Sequence, residues 1–296
     1  MIESRRSLIL SRGIIHTVMI VFSALCVVPL IAVLSISLSS EQSIRLKGYG
    51  LVPPEWSTTA YEYIFRNPQG ILHSYLITFL VTSLGTFLSL LVISLLAFPL
   101  SRPDYRYRNK VSFYVFFTML FNGGLVPWYI LIVRFLQLKN TLLVLILPYL
   151  VIPWFVLLLR TFFKQIPLSL FESARIDGAS ELRSYYAILL PLSKPALATI
   201  GLFICLNYWN DWWLALLYIE TEKLVPLQYM LYRMMNNIVF LTSQMTSTAI
   251  SIDMSKFPNE SARMAMCVLA AGPMLFIFPF FQKYFVRGLM AGSLKG

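Results

Sequence analysis

Six long apolar runs constrain this 296-residue chain more than any other feature. They cover roughly Ile14–Leu38, Leu72–Leu100, Val111–Phe135, Leu142–Leu159, Ala196–Leu217 and Ala265–Phe281. A helix of about 20 apolar residues spans the hydrocarbon core of a bilayer. Backbone N–H and C=O groups in lipid must find partners within the chain, so each run is expected to be a helix. A membrane β-barrel would need alternating segments of about ten residues, and these runs do not alternate. The expected fold class is an all-α integral membrane protein with six transmembrane helices. Composition agrees, with only 12% charged residues against about 25% in ordinary soluble domains.

Lys and Arg orient membrane chains, because short cytoplasmic loops carry an excess of them. Fifteen of the 24 fall in the N-terminal tail, the 101–110 loop, the 160–194 loop and the tail from Lys283. The opposite loops, 39–71, 134–141 and 218–263, hold the other nine in a greater total length. Both termini are therefore expected to be cytoplasmic, with the first run kept as a membrane helix. The net charge of +11 is mostly this bias together with attraction to anionic lipid. Nucleic acid is not an expected partner.

Several chemistries lack their residues. There is no G-x-x-x-x-G-K-[ST] for a P-loop, no H-E-x-x-H, no G-x-S-x-G and no Cys-x-x-Cys. Cys26, Cys205 and Cys267 all lie inside apolar runs, which indicates neither a disulfide framework nor a metal site. His16 and His73 are single residues near run ends, where interfacial packing is expected. Asp211 is the one carboxylate within a run. Ion-coupled carriers place ionisable groups in the membrane interior, so a secondary transporter is the less favoured alternative.

One loop breaks the apolar pattern. Residues 171–191 read "FESARIDGASELRSYYAILLP". Ser169 and Glu172 fit the S-x-x-E capping box of a helix start. Gly178 fits the left-handed position that ends a helix, and Ser180 can cap a second helix running to Pro191. From Glu172 to Arg183 there are three acidic and two basic residues, interspersed. A helix lying on anionic lipid would carry mostly Lys and Arg on its polar face. Balanced charge suits a groove on a soluble protein better.

These residues resemble the EAA loop of ABC importer permeases, E-A-A-x-x-x-G-x₉-I-x-L-P. The matching positions are Glu172, Ala174, Gly178, Ile188, Leu190 and Pro191, and Ser173 stands where the pattern has its first alanine. From about residue 70 onward, "FNGGLVPWYILI", "LPLSKPALATIGLF", "NYWNDWWLALLYI" and "FQKYFVRGLMAGSLKG" resemble the carbohydrate-uptake branch with maltose-type importers. The likeness is greatest to the second permease subunit of oligosaccharide systems, including alginate importers. It implies a type I ABC importer permease fold, a single permease domain over 1–296, and a location in the bacterial plasma (inner) membrane. The implied partners are a second homologous permease, two ATP-binding subunits and an extracytoplasmic substrate-binding protein. ATP and Mg would sit on the ATPase subunits, with no cofactor and no catalytic residue on this chain. Glu172, Ser173, Ala174, Gly178, Ile188, Leu190 and Pro191, in a loop of about 163–194, would couple to the ATPase.

Two polar stretches are candidates for an oligosaccharide path. Asn122, Gly123 and Gly124, with Pro127, interrupt the third run; they permit a kink, or close helix packing. In "NYWNDWW", Asn207, Asn210 and Asp211 would share a helix face by i, i+3 and i+4 spacing. Tyr208 and Trp212 would offer flat aromatic faces suited to sugar rings, and Trp212 and Trp213 also fit an interfacial aromatic belt. The outer loop, about 218–263, is long and mixed in character, and the family likeness implies contact with the binding protein.

Overall fold

The computed structural model describes residues 2–66, 68–247 and 259–293, with side chains over 12–66, 68–240 and 259–279. Its described elements are helical. In chain order the α-helices begin with α1 (Ile2–Ser37), α2 (Glu41–Lys47), α3 (Thr59–Ile64), α4 (Pro68–Ser101) and α5 (Arg108–Leu120). Next come α6 (Leu125–Ile130), α7 (Pro153–Phe163), α8 (Leu168–Ile176), α9 (Glu181–Ser184) and α10 (Leu190–Leu192). The last four are α11 (Lys194–Trp209), α12 (Trp213–Tyr218), α13 (Leu227–Ser247) and α14 (Glu260–Ser293). Residues 227–247 of the outer loop expected over 218–263 are thus the helix α13, while residues 248–258 lie outside the described segments.

Three of the six apolar runs form unbroken helices long and apolar enough to cross a membrane: Arg12–Ser37, Pro68–Ser101 and Glu260–Pro279. The other runs do not form single helices, which corrects the expectation that each run is a helix. The third run bends by 112° between α5 and the segment Leu125–Phe135. Gly124 takes φ +85° there, and the Asn122 Oδ1 accepts the Gly124 N–H at 2.9 Å. A side chain that captures a backbone donor in this way competes with the helix ladder and makes a turn. The fourth run is a 3₁₀ stretch over Leu142–Tyr149, bent by 51° from α7. Ile152 is extended, as expected before a proline that begins a helix. The fifth run stops at Asn210 and resumes as α12.

The chain forms two compact units. One comprises 1–68 and 233–272, the other 69–232 and 273–296. In the first unit, the buried Glu41 of α2 accepts the backbone N–H groups of Asn259, Glu260 and Ser261 at 3.1–3.3 Å. Those are the orphan donors of the α14 start, where the helix dipole also favours a carboxylate.

The core of the second unit is apolar, built from residues such as Ile93, Val144, Leu159, Leu189, Ile200 and Tyr218. Tyr208 crosses it with its ring over Gly85, whose missing Cβ would lie 2.7 Å from the ring. The Tyr208 hydroxyl donates to the Ile146 carbonyl at 2.8 Å and lies 3.1 Å from Ser89 Oγ. Large apolar residues stay exposed on α1, α5 and α6, including Ile20, Phe22, Phe113, Phe117 and Val126. Lipid contact or a protein neighbour removes the cost of such exposure in water.

Candidate functional site

The 163–194 loop is the more regular of the two candidate regions. Its first helix, α8, begins directly after Pro167, with no side-chain cap. The expected Ser169–Glu172 capping box does not form. Proline at the N-cap already has the extended backbone that a helix start needs, which places the cap two residues before Ser169. The C-terminal expectation holds. Gly178 takes φ +77°, its N–H reaches the Arg175 carbonyl at 3.1 Å, and the Ala179 N–H reaches that of Ala174 at 2.8 Å. These paired bonds are a Schellman closure, which needs a left-handed residue after the helix. Ser180 Oγ then accepts the Arg183 N–H at 3.2 Å and caps α9, as its position implies.

Tertiary contacts hold this stub against the end of α4. Phe171 is buried with its ring 6.0 Å from Phe98, and Tyr185 lies 5.8 Å from the same ring. Tyr185 Oη sits 2.6 Å from Ser94 Oγ. The Arg102 guanidinium lies 4.3 Å from the Phe171 ring centre. Arg175 Nη2 donates to Asp104 Oδ2 at 3.0 Å and to Glu181 Oε1 at 2.7 Å. Partial burial pushes the Asp104 carboxyl up, yet the Arg175 hydrogen bond, a backbone bond and the charges of Arg102 and Arg175 hold it below the usual range. Phe171, Arg102, Asp104 and Arg175 were not singled out from sequence. Asp104 and Arg175 are 71 positions apart, so no local pattern joins them.

The positions of the EAA-like pattern divide. Glu172, Ser173, Gly178 and Pro191 are exposed and Ala174 is half-buried. Ile188 and Leu190 pack against the core of the second unit. Ile176, within the same stub, is 87% exposed, and Leu182 stands out from the second helix.

The second region is a cavity of about 500 Å³ at the C-terminal end of α11. Asn207, Asn210, Asp211 and Trp212 line it together with Phe155 and Phe203, among others. Asn210 and Asp211 reach it from the break after α11, not from a continuous helix face. Asp211 Oδ1 accepts the Tyr149 hydroxyl at 3.1 Å. Asn207 Nδ2 is buried with no acceptor. Trp212 stacks on Tyr232 with ring centres 4.5 Å apart. Tyr208 is corrected as a wall residue, because it is 3% exposed and directed into the core. Asn122, Gly123 and Gly124 do not line this cavity; they form the exposed bend of the third run.

His73 Nε2 lies 2.7 Å from the Lys223 carbonyl, a structural pairing. Among the described residues no cluster of His, Cys, Asp and Glu could hold a metal ion.

Comparison with known proteins gives full-length likenesses. The polygalacturonan/rhamnogalacturonan transport system permease protein YtcP of Bacillus subtilis (strain 168) is 38% identical over 289 residues, covering 96% of this chain and 97% of its own. The trehalose/maltose transport system permease protein MalG of Thermococcus litoralis is 27% identical, covering 98% and 99%. Among solved structures, a chain of a bacterial ABC transporter involved in the import of the acidic polysaccharide alginate superposes with a TM-score of 0.77 at 28% identity, covering 92% and 96%. No family model matches the chain.

Proposed function

We propose that this chain, which belongs to the permease subunits of ABC sugar importers, forms half of a path for acidic oligosaccharides and takes its driving energy through the 163–194 loop. The subunit is a non-catalytic, multi-pass membrane protein. In this reading it crosses the bacterial inner membrane six times, each apolar run counting as one span whether or not it is broken, with both termini cytoplasmic. It pairs with a second permease, rests on two ATPase subunits that hold ATP and Mg, and receives sugar from a binding protein docked at the outer 218–263 segment.

The observation that carries the coupling reading is the form of the stub. A helix closed by Gly178 and braced from behind by Phe171 and Arg175 presents Glu172, Ser173 and a bare Ile176 outward. An apolar side chain at the tip of a polar loop gains by entering a groove on a soluble partner. Nucleotide binding drives transport only if it favours one permease state differentially, and a rigid, braced stub transmits such a bias.

The substrate reading rests on relatives. The polygalacturonan/rhamnogalacturonan permease and the alginate transporter are both named for polymers of acidic sugars. The cavity at the end of α11 has the furniture of a sugar subsite, with aromatic walls and the unpaired Asn207 donor beside the Asp211 carboxylate. Its lining contains no Lys or Arg. It therefore suits the hydroxyl face of a sugar, leaving carboxylates to be recognised elsewhere on the path.

The test is Gly178→Asp in the complete transporter. An added Cβ at this position meets nothing within 4 Å, so the substitution strains only the loop backbone and its docking face. The subunit is expected to insert and accumulate at normal levels, while binding-protein-stimulated ATP hydrolysis and sugar uptake fall to background. Normal uptake in this variant would refute the coupling role.

A further inference from the structure

A second cavity, of about 400 Å³, opens where α4 ends, α5 begins and α7 ends. Its wall includes three cations, Arg102, Arg108 and Lys164, set beside the apolar Phe163, Leu168 and Phe171. No carboxylate lines it. Asp104 Oδ1 lies 3.6 Å from Arg102 Nε, but Asp104 stands outside the wall and its other oxygen is taken by Arg175.

Arg102 is 7% exposed, and its Nε and Nη1 have no hydrogen-bond acceptor. A guanidinium does not give up its proton, so it cannot escape this by neutralising. The faces of Phe171 and Phe98 offset part of the cost through cation–π contact. They supply no acceptor for the donors at the guanidinium edge. Lys164 adds to the imbalance: partial burial first, then the charges of Arg160 and Arg108, lower its proton affinity. Positive charge is concentrated here beyond what the chain itself neutralises.

The cavity's height selects its occupant. With each broken run read as one span, as proposed above, all three flanking helices belong to membrane-crossing segments whose ends meet at this cavity. That reading puts it at the level of the phospholipid headgroups. Basic pockets between membrane helices hold anionic headgroups. Further along α5, which begins at the cavity with Arg108, Phe113, Tyr114 and Phe117 are exposed, and acyl chains can cover them.

We propose that this cavity binds the phosphate of an anionic phospholipid headgroup, received by Arg102, Arg108 and Lys164. A lipid held there would lie between the ends of the spans and the root of the 163–194 loop, and it would brace that root. The inference rests on the proposed span reading of the segments that contain α5 and α7; it stands independently of the coupling role of Gly178.

The test uses the complete transporter released from nanodiscs of equal phosphatidylcholine and phosphatidylglycerol, with retained lipid read by native mass spectrometry. Wild-type complex is expected to keep phosphatidylglycerol in preference to phosphatidylcholine. In the double variant Arg108→Gln/Lys164→Gln, that affinity is expected to fall about thirtyfold, taking each lost cation as roughly a factor of five. Should the double variant fail to assemble, Lys164→Gln alone, at an exposed position, is expected to lower it about fivefold. Unchanged retention in these variants overturns the site. Displacement of the lipid by inorganic phosphate overturns the lipid as occupant in favour of a free anion. A zero-length carbodiimide crosslink between Lys164 and an ATPase carboxylate overturns it in favour of protein docking.

Discussion

The loop around Gly178 and the polar stretch 207–213 are both islands of hydrogen-bonding residues in an apolar chain, yet they are organised by different forces. Around Gly178 the bonds that shape the backbone are local. The Schellman pair spans at most five residues and the Ser180 cap spans three. At 207–213 the decisive partners are far along the chain. Tyr208 meets Ile146 and Gly85, and Asp211 meets Tyr149. The lesson is one of range. Local bonds set the backbone of the first region, which Phe171 and Arg175 then brace against the rest of the chain, while remote packing sorts neighbouring residues of the second into cavity wall or core.

That contrast can be broken at Tyr208. Tyr208→Ala should cost about 3–5 kcal/mol of stability, the range for deleting a large buried aromatic, read as a lowered unfolding midpoint in detergent. A variant of normal stability with altered sugar uptake would instead put the ring on the path. Gly85→Ala probes the same contact from the other side. Its Cβ would lie 2.7 Å from two Tyr208 ring atoms, so the ring must shift, at about 1–3 kcal/mol. The thermal midpoint of the purified transporter checks it.

Local bonds should matter less to the whole. Ser180→Ala removes one helix cap and should cost about 1 kcal/mol, seen as faster hydrogen exchange confined to 181–184. A global loss of stability would show that the cap supports more than the local backbone. The smallest expected effect is acid sensitivity. Asp104 has a folded pKa below its ordinary value, so its contribution is present above about pH 4 and is lost as pH falls through the lower folded value. Its side chain is 46% exposed, which keeps the effect modest. The difference in midpoint between wild type and Asp104→Asn should shrink on acidification through that window.

Much of the architecture was legible because bilayer physics writes it into composition. Long apolar runs and helix punctuation at Gly178 and Ser180 each have a short-range cause. The bends were legible in part. Asn122-Gly123-Gly124 marks a weak point, but the angle of 112°, like the Gly124 amide bonded to the Asn122 side chain, is seen only in the fold. The capping box at Ser169 failed because Pro167 had already begun the helix.

The sequence by itself determined that this chain is a helical membrane protein and where its polar loop turns, since spans and caps are set by residues a few positions apart. Only the tertiary structure decided that Tyr208 faces inward while Asn207 lines a cavity. It also decided that Arg175 finds Asp104 across 71 positions and that Arg102 is buried with donors unmet. Helical periodicity says which residues share a face, but only the packed neighbours say what that face meets.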